Sequence, residues 1–180
     1  MKGINIIVVF TFLLFTDLPN SENHLSNSSQ HNMSDTFLKF IPTDPSFIPD
    51  MVRQDKAKAY LANIFKNKEI ELIKTRDIEF VDQGSNFEKV ACNYCEKEID
   101  IQIWQNAMDN ADKKHFNDLS FITPCCHKKT TLNDLQYHWP AGFAKFVIEI
   151  SNPTEDIKST ELSELENILG TRIRKIWAHY

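Results

Sequence analysis

Cys92-Asn-Tyr-Cys95 and Thr123-Pro-Cys125-Cys126-His127 hold all 4 cysteines of the chain, a pair in each segment. Structural zinc takes four ligands in a tetrahedron and is met most often by cysteine thiolates. Two cysteines separated by two residues face one ion when the backbone turns tightly between them. Asn93 suits that turn, because Asn tolerates left-handed backbone. A second, distant pair then closes the shell. The spacing predicts one structural Zn2+ held by Cys92, Cys95, Cys125 and Cys126, which clips a small mixed domain together.

Cys125 and Cys126 are adjacent. Adjacent side chains diverge in extended backbone, so both reach one ion only across a turn, which Pro124 helps to set. The alternative shell is Cys3His, with His127 the nearest imidazole and His115 and His138 further along the chain. A redox Cys-x-x-Cys carries its first thiol at a helix N-terminus. Here the residues before Cys92 read as a strand, and a second cysteine pair would be superfluous. Disulfides of a secreted domain fit poorly too, since a bridge between adjacent cysteines is strained and the cysteines are few for this length.

Outward from this centre the chain reads as α+β. Ile70–Ile73 and Ile78–Val81 are strand-like, and Asp82-Gln-Gly-Ser-Asn86 is a turn sequence. Phe87–Ala91 then completes a hairpin with Ile78–Val81 and delivers Cys92. Glu98–Lys113 predicts a helix capped by Asp100, with Ile101, Trp104, Met108 and Ala111 on one face. Ser120–Thr123 is a short strand into the second pair. In Ala144–Ile150, Phe146, Ile148 and Ile150 alternate with Lys145, Val147 and Glu149, the clearest strand of the chain.

Phe37–Pro49 carries three prolines among apolar residues. It reads as an extended surface arm with Phe37, Phe40, Phe47 and Ile48 tucked in. Asp50 caps a helix to about Lys66 with Val52, Ala59, Tyr60, Ile64 and Phe65 as its apolar stripe. Ser159 or Thr160 caps a last helix through Leu162, Leu165, Leu169, Ile173, Ile176 and Trp177. The expected fold is α+β: a small antiparallel sheet with both cysteine knuckles at one end, packed by about three helices.

A formal net charge of −5 gives no general attraction to nucleic acid or anionic membrane. Only 4 glycines, and neither glycine fingerprint, argue against a dinucleotide fold or a P-loop. Residues 1–32 stand apart. Lys2 and the apolar run Ile4–Phe15 read as a secretory signal, too short to span a bilayer. A polar tract, Asp17–Asn32, follows, without a small-x-small cleavage site or a cysteine for a lipid anchor. Asn27 and Asn32 match the glycosylation pattern. The other reading makes Met33 the start and residues 1–32 an overextended frame. The protein is then cytoplasmic, which suits free thiols, and otherwise secreted. Either way residues 33–180 are expected to form a single zinc-binding domain that does not enter a membrane.

CNYC at 92–95, TPCCH at 123–127, LNDLQYHWPAGF at 132–143 and LGTRIRKIWAHY at 169–180 together resemble a family of small bacterial proteins of unknown function. The resemblance runs from about Phe37 to the end and leaves out residues 1–32, in keeping with a start at Met33. Members share the paired cysteines, the Asn-Asp-Leu and Trp-Pro segment and a closing helix. In the family a glycine follows the second pair where His127 stands here, which leaves His127 open as a ligand. The resemblance implies a zinc-ribbon-like module within an α+β domain and brings no activity.

Four thiolates leave zinc no open position, so catalysis at the metal is disfavoured. Deaminases need a His-x-Glu, which is absent. A hydrolase built on His138 and Asp134, with Cys126 as nucleophile, is the third reading. Arg172, Arg174 and Lys175, beside Trp177, His179 and Tyr180, support a nucleic-acid-associated zinc ribbon as the second. The dipole of the expected last helix explains those cations equally well, and the acidic balance lacks a basic footprint. The first reading is a protein-interaction domain for a partner the sequence does not identify, with Tyr137, His138, Trp139 and Phe143 as the candidate surface. The competing account of Tyr137, Trp139 and Phe143 is that they close the core.

Overall fold

Strands β1 (Thr36–Pro42) and β7 (Gly142–Ser151) lie side by side at the centre of the main sheet, in a computed structural model that describes residues 35–180. β2 (Ile70–Val81) flanks β7 and β8 (Ile173–His179) flanks β1, each pair antiparallel. On β7, Phe146, Ile148 and Ile150 are fully buried, as their alternation predicts. With Leu38 and Phe40 they meet Ala57 and Leu61 of α1 (Met51–Ile64) and Leu165 and Leu169 of α3 (Ser159–Leu169). Burying a large apolar side chain is worth about 1.5–3 kcal/mol, so this layer dominates the stability of the sheet.

Residues 37–42 are therefore a sheet strand and not a surface arm, whereas residues 43–49 run along the surface with Ile48 exposed rather than tucked in. Leu38, Phe40 and Ile41 are buried between two neighbours, and Pro42 closes the strand, where proline is tolerated. Asp50 caps α1 as expected, accepting from Arg53 N at 3.0 Å. The face of α1 that packs inward is Gln54, Ala57 and Leu61, with Val52 and Ala59 left outside. α3 begins after Lys158, whose amide donates to Glu161 Oε2 at 2.9 Å; neither Ser159 nor Thr160 is the cap.

The last helix is shorter than its apolar spacing suggests. Gly170 takes φ +73° and its amide donates to Glu166 O, a left-handed termination that glycine accepts at little cost. Any side chain there would overlap Arg53. The chain then extends as β8 along β1, with Ile173 opposite Pro42 and Ala178 opposite Phe37. Strand pairing overrides the helical reading because Ile173, Ile176 and Trp177 satisfy either geometry, whereas Leu38 and Phe40 need a second neighbour.

The expected hairpin also differs. β2 is one strand of 12 residues with a register shift between Lys74 and Glu79. The turn at Gly84, φ +61°, does not fold the chain back onto β2. Ser85 N and Ser85 Oγ both donate to His179 O, drawing the loop to the end of β8. The short strand β3 (Val90–Ala91) pairs instead with β6 (Gln136–Tyr137).

α2 (Ile101–Asp112) is capped by Asp100, which accepts from Gln102 N and Ile103 N. β4 (Ser120–Ile122) and β5 (Lys129–Thr131) form a hairpin. These elements close over a second core of Val90, Ile99, Trp104, Phe121, Leu132 and Phe143. The fold is α+β, an antiparallel sheet with three helices, as the sequence predicts. Both knuckles sit on their own two-stranded ladders, and the core beneath them takes in Ile78 and Phe80 of β2 and Phe143 of β7, from one end of the main sheet. Among the described residues no helix is long and apolar enough to cross a membrane. Residues 1–32, with their signal-like run and glycosylation matches, lie outside the described residues.

Candidate metal centre

β3 ends at Ala91, and the backbone turns at once from Cys92. Cys92 N donates to Lys97 O at 2.9 Å, Glu96 N to Cys92 O at 3.0 Å, and Glu96 sits at φ +59°. The tip of the β4–β5 hairpin repeats the pattern. Thr123 N donates to Lys128 O at 3.0 Å, His127 N to Thr123 O at 2.9 Å, and His127 sits at φ +56°. Pro124–Cys126 is the turn that lets neighbouring cysteines face the same way.

The two turns bring together the four sulfurs of Cys92, Cys95, Cys125 and Cys126, all within 4.8 Å of one another. Cys92 Sγ lies 3.7 Å from Cys126 Sγ, and Cys95 Sγ lies 3.1 Å from Cys125 Sγ. A disulfide needs about 2.05 Å between sulfurs; these are four free thiols. Zn–S bonds of about 2.3 Å in a tetrahedron place sulfurs roughly 3.8 Å apart. The cluster is thus of the size that a coordinated metal requires. Tight turns, soft donors and four-fold convergence all fit zinc or a comparable thiophilic ion.

The thiols also polarise one another. Burial pushes the Cys92 thiol up, but the Tyr94 and Cys95 amides and the neighbouring thiols outweigh it and leave it at about 6. Cys125 is pushed up to about 12, first by its contact with Cys95 and then by burial. Cys92 is fully buried, and the other three pack partly buried against the second core. Beneath them Phe87 stacks on Trp104 with ring centres 5.1 Å apart, and Trp104 Nε1 donates to Tyr137 Oη at 3.3 Å.

His127 is exposed at the left-handed corner of its turn, His115 faces Asp77 and His138 faces Glu88. Among the described residues no histidine joins the four sulfurs. Glycine would adopt this left-handed φ without strain. Cys92 stands at the end of a strand, ahead of α2 and not at its N-terminus, which removes the geometry a redox Cys-x-x-Cys relies on.

The candidate interaction surface divides. Phe143 is fully buried and Tyr137 nearly so, its hydroxyl donating to Leu132 O at 2.9 Å. Both are core residues, a correction to their assignment as a docking surface. His138 and Trp139 remain outside, and both bond Glu88. The rest of the LNDLQYHWPAGF segment is a structural lock. Asn133 Oδ1 accepts from Phe143 N and from Arg174 Nη1, each at 3.1 Å, while Asn133 Nδ2 donates to Thr43 O at 3.0 Å. Arg174 also donates to Ala141 O and Asn133 O.

That lock uses one of the three cations considered for nucleic acid. Arg172 pairs with Glu166 at 3.1 Å and Lys175 with Asp156. All three stand on or beside a strand, so a helix dipole has no part in their placement. Asp134 is bonded by Thr131 Oγ1 at 2.7 Å and His138 by Glu88, so each member of the candidate hydrolase set has a different partner. Sequence reasoning missed Asn133 and Thr123 as organising residues; buried polar side chains leave no periodic signal. Comparison with protein families, with curated proteins and with solved structures gives no match to this chain.

Proposed function

We propose that Cys92, Cys95, Cys125 and Cys126 hold one structural Zn2+ in a zinc-ribbon-like unit, and that residues 33–180 form a protein-interaction domain stabilised by that ion. The observation that carries the reading is the convergence of two like turns on four sulfurs within 4.8 Å. Four thiolates saturate zinc, so the ion supplies cross-linking and no reactive site. The interaction role is supported by apolar side chains left outside the cores. Met51 and Val52 are 72% and 63% exposed, and Trp139 stands at the rim beside His138. A cytoplasmic setting accords with four free thiols.

Metal analysis of the full chain and of the chain started at Met33 tests this. About one zinc per chain is expected, with chelation lowering the melting temperature because ligation contributes folding energy. A folded protein with freely titrating thiols and no bound metal would defeat it.

A further inference from the structure

The two knuckles match in their backbone hydrogen bonds, but the residue that opens each one differs in chemistry. Cys92 and Thr123 each open a knuckle, donating to Lys97 O and Lys128 O and accepting from Glu96 N and His127 N. Where the first knuckle has a sulfur, the second has a hydroxyl. The second knuckle's cysteines are displaced accordingly: Cys126 matches Cys95, but Cys125 stands where the first knuckle has Tyr94.

Thr123 is fully buried, and buried hydroxyls are kept where their bonds are made. Its Oγ1 accepts from Lys128 N at 3.1 Å, and lies 3.1 Å from Cys126 Sγ and 3.3 Å from Lys128 O. A hydroxyl has a single hydrogen to give, and a metal-bound thiolate has none. With a metal in place, the contact between Oγ1 and Sγ is therefore a hydrogen bond only if Thr123 donates. Cys92 Sγ receives its counterpart from a backbone amide, Tyr94 N, at 3.3 Å.

Resting on the zinc reading above, we infer that Thr123 is a positioning residue of the metal centre. Its Oγ1–H donates to the Cys126 thiolate and holds the turn in which adjacent cysteines share one ion. Hydrogen bonds of this kind orient a ligand and temper its charge, and losing one typically costs about 10–100-fold in metal affinity.

The test compares the full chain with Thr123→Val and Thr123→Ser, each loaded with Zn2+ and with Co2+. Thr123→Val is expected to lose about 10–100-fold in zinc affinity by chelator competition and to shift the thiolate-to-cobalt charge-transfer band. Thr123→Ser, which keeps the hydroxyl, is expected to stay within about threefold of wild type with its band in place. A residue that merely supports the turn would lower the melting temperature of Thr123→Val equally with and without metal and leave the band unmoved. That result overturns the proposal.

Should Thr123→Val not fold, the wild-type protein decides, loaded with a spin-active cadmium isotope. A slowly exchanging Thr123 hydroxyl proton coupled to the metal is expected, and a freely exchanging, uncoupled one overturns the inference. A wild-type chain that binds neither Zn2+ nor Co2+ overturns the metal centre itself, an outcome distinct from an intact site indifferent to Thr123.

Discussion

Asn133 shows how much one buried amide can organise. It ties the loop at Thr43, the first turn of β7 and the guanidinium of Arg174 to a single point. Gly142 leaves room for that guanidinium, since a side chain there would overlap Arg174 Nη1. Asn133→Ala strands several buried polar groups at once, each costing about 1–3 kcal/mol. A loss of about 3 kcal/mol is expected in denaturant unfolding, with zinc stoichiometry unchanged.

Two further residues give tests at this scale. His127→Gly removes the imidazole and relieves the left-handed backbone. It is expected to keep full zinc affinity and to melt no lower than wild type; a lost equivalent of zinc would make His127 a ligand. Asp118 is held below the usual carboxylate range by its bonds from Lys114 Nζ and Ser120. A carboxyl whose folded pKa is depressed stabilises above its unfolded value, and that contribution is lost as pH falls through the folded value. Asp118→Asn should therefore melt slightly below wild type at neutral pH. The difference should vanish in strong acid, and taking it between two proteins cancels the metal's own pH dependence.

Among the elements, β8 depends most on its surroundings. Gly170 ends α3 in a conformation that costs an L-residue about 1–2 kcal/mol, and Arg53 fills the space beside it. Gly170→Ala is expected to lower stability by at least about 1–2 kcal/mol; circular dichroism that shows added helix in its place would mean that β8 is weakly held. The knuckles are elements of the same rank. Each is closed by two backbone hydrogen bonds and one positive φ before any metal is considered. The backbone therefore pre-organises the sulfurs, so that a metal ion would need little rearrangement to bind.

On the scale of the whole molecule there are two main cores with different debts. The layer between sheet and helices, around Phe146, Ile148 and Leu61, is large and contains none of the four cysteines. The core under the knuckles rests on two-residue and three-residue ladders and on Cys92 itself. Ladders that short are marginal alone. Chelating the metal should therefore speed amide exchange in Val90–Ala91 and Lys129–Thr131 well before it does so in β1 and β7. Uniform loss of protection across both cores would show that the ion stabilises the fold globally.

The sequence by itself determined what depends on a few neighbouring residues. The paired cysteines, the caps at Asp50 and Asp100 and the alternation of β7 are local chemistry, decided within a turn or a strand. Tertiary structure alone decided the rest. Residues 173–179 extend because β1 lies beside them, residues 36–42 are central because β7 and β8 flank them, and Tyr137 and Phe143 are buried because Trp104 and Phe80 close over them. In each case the local preference was nearly balanced, and the partner that tipped it stands far off in the chain, where no spacing rule reaches.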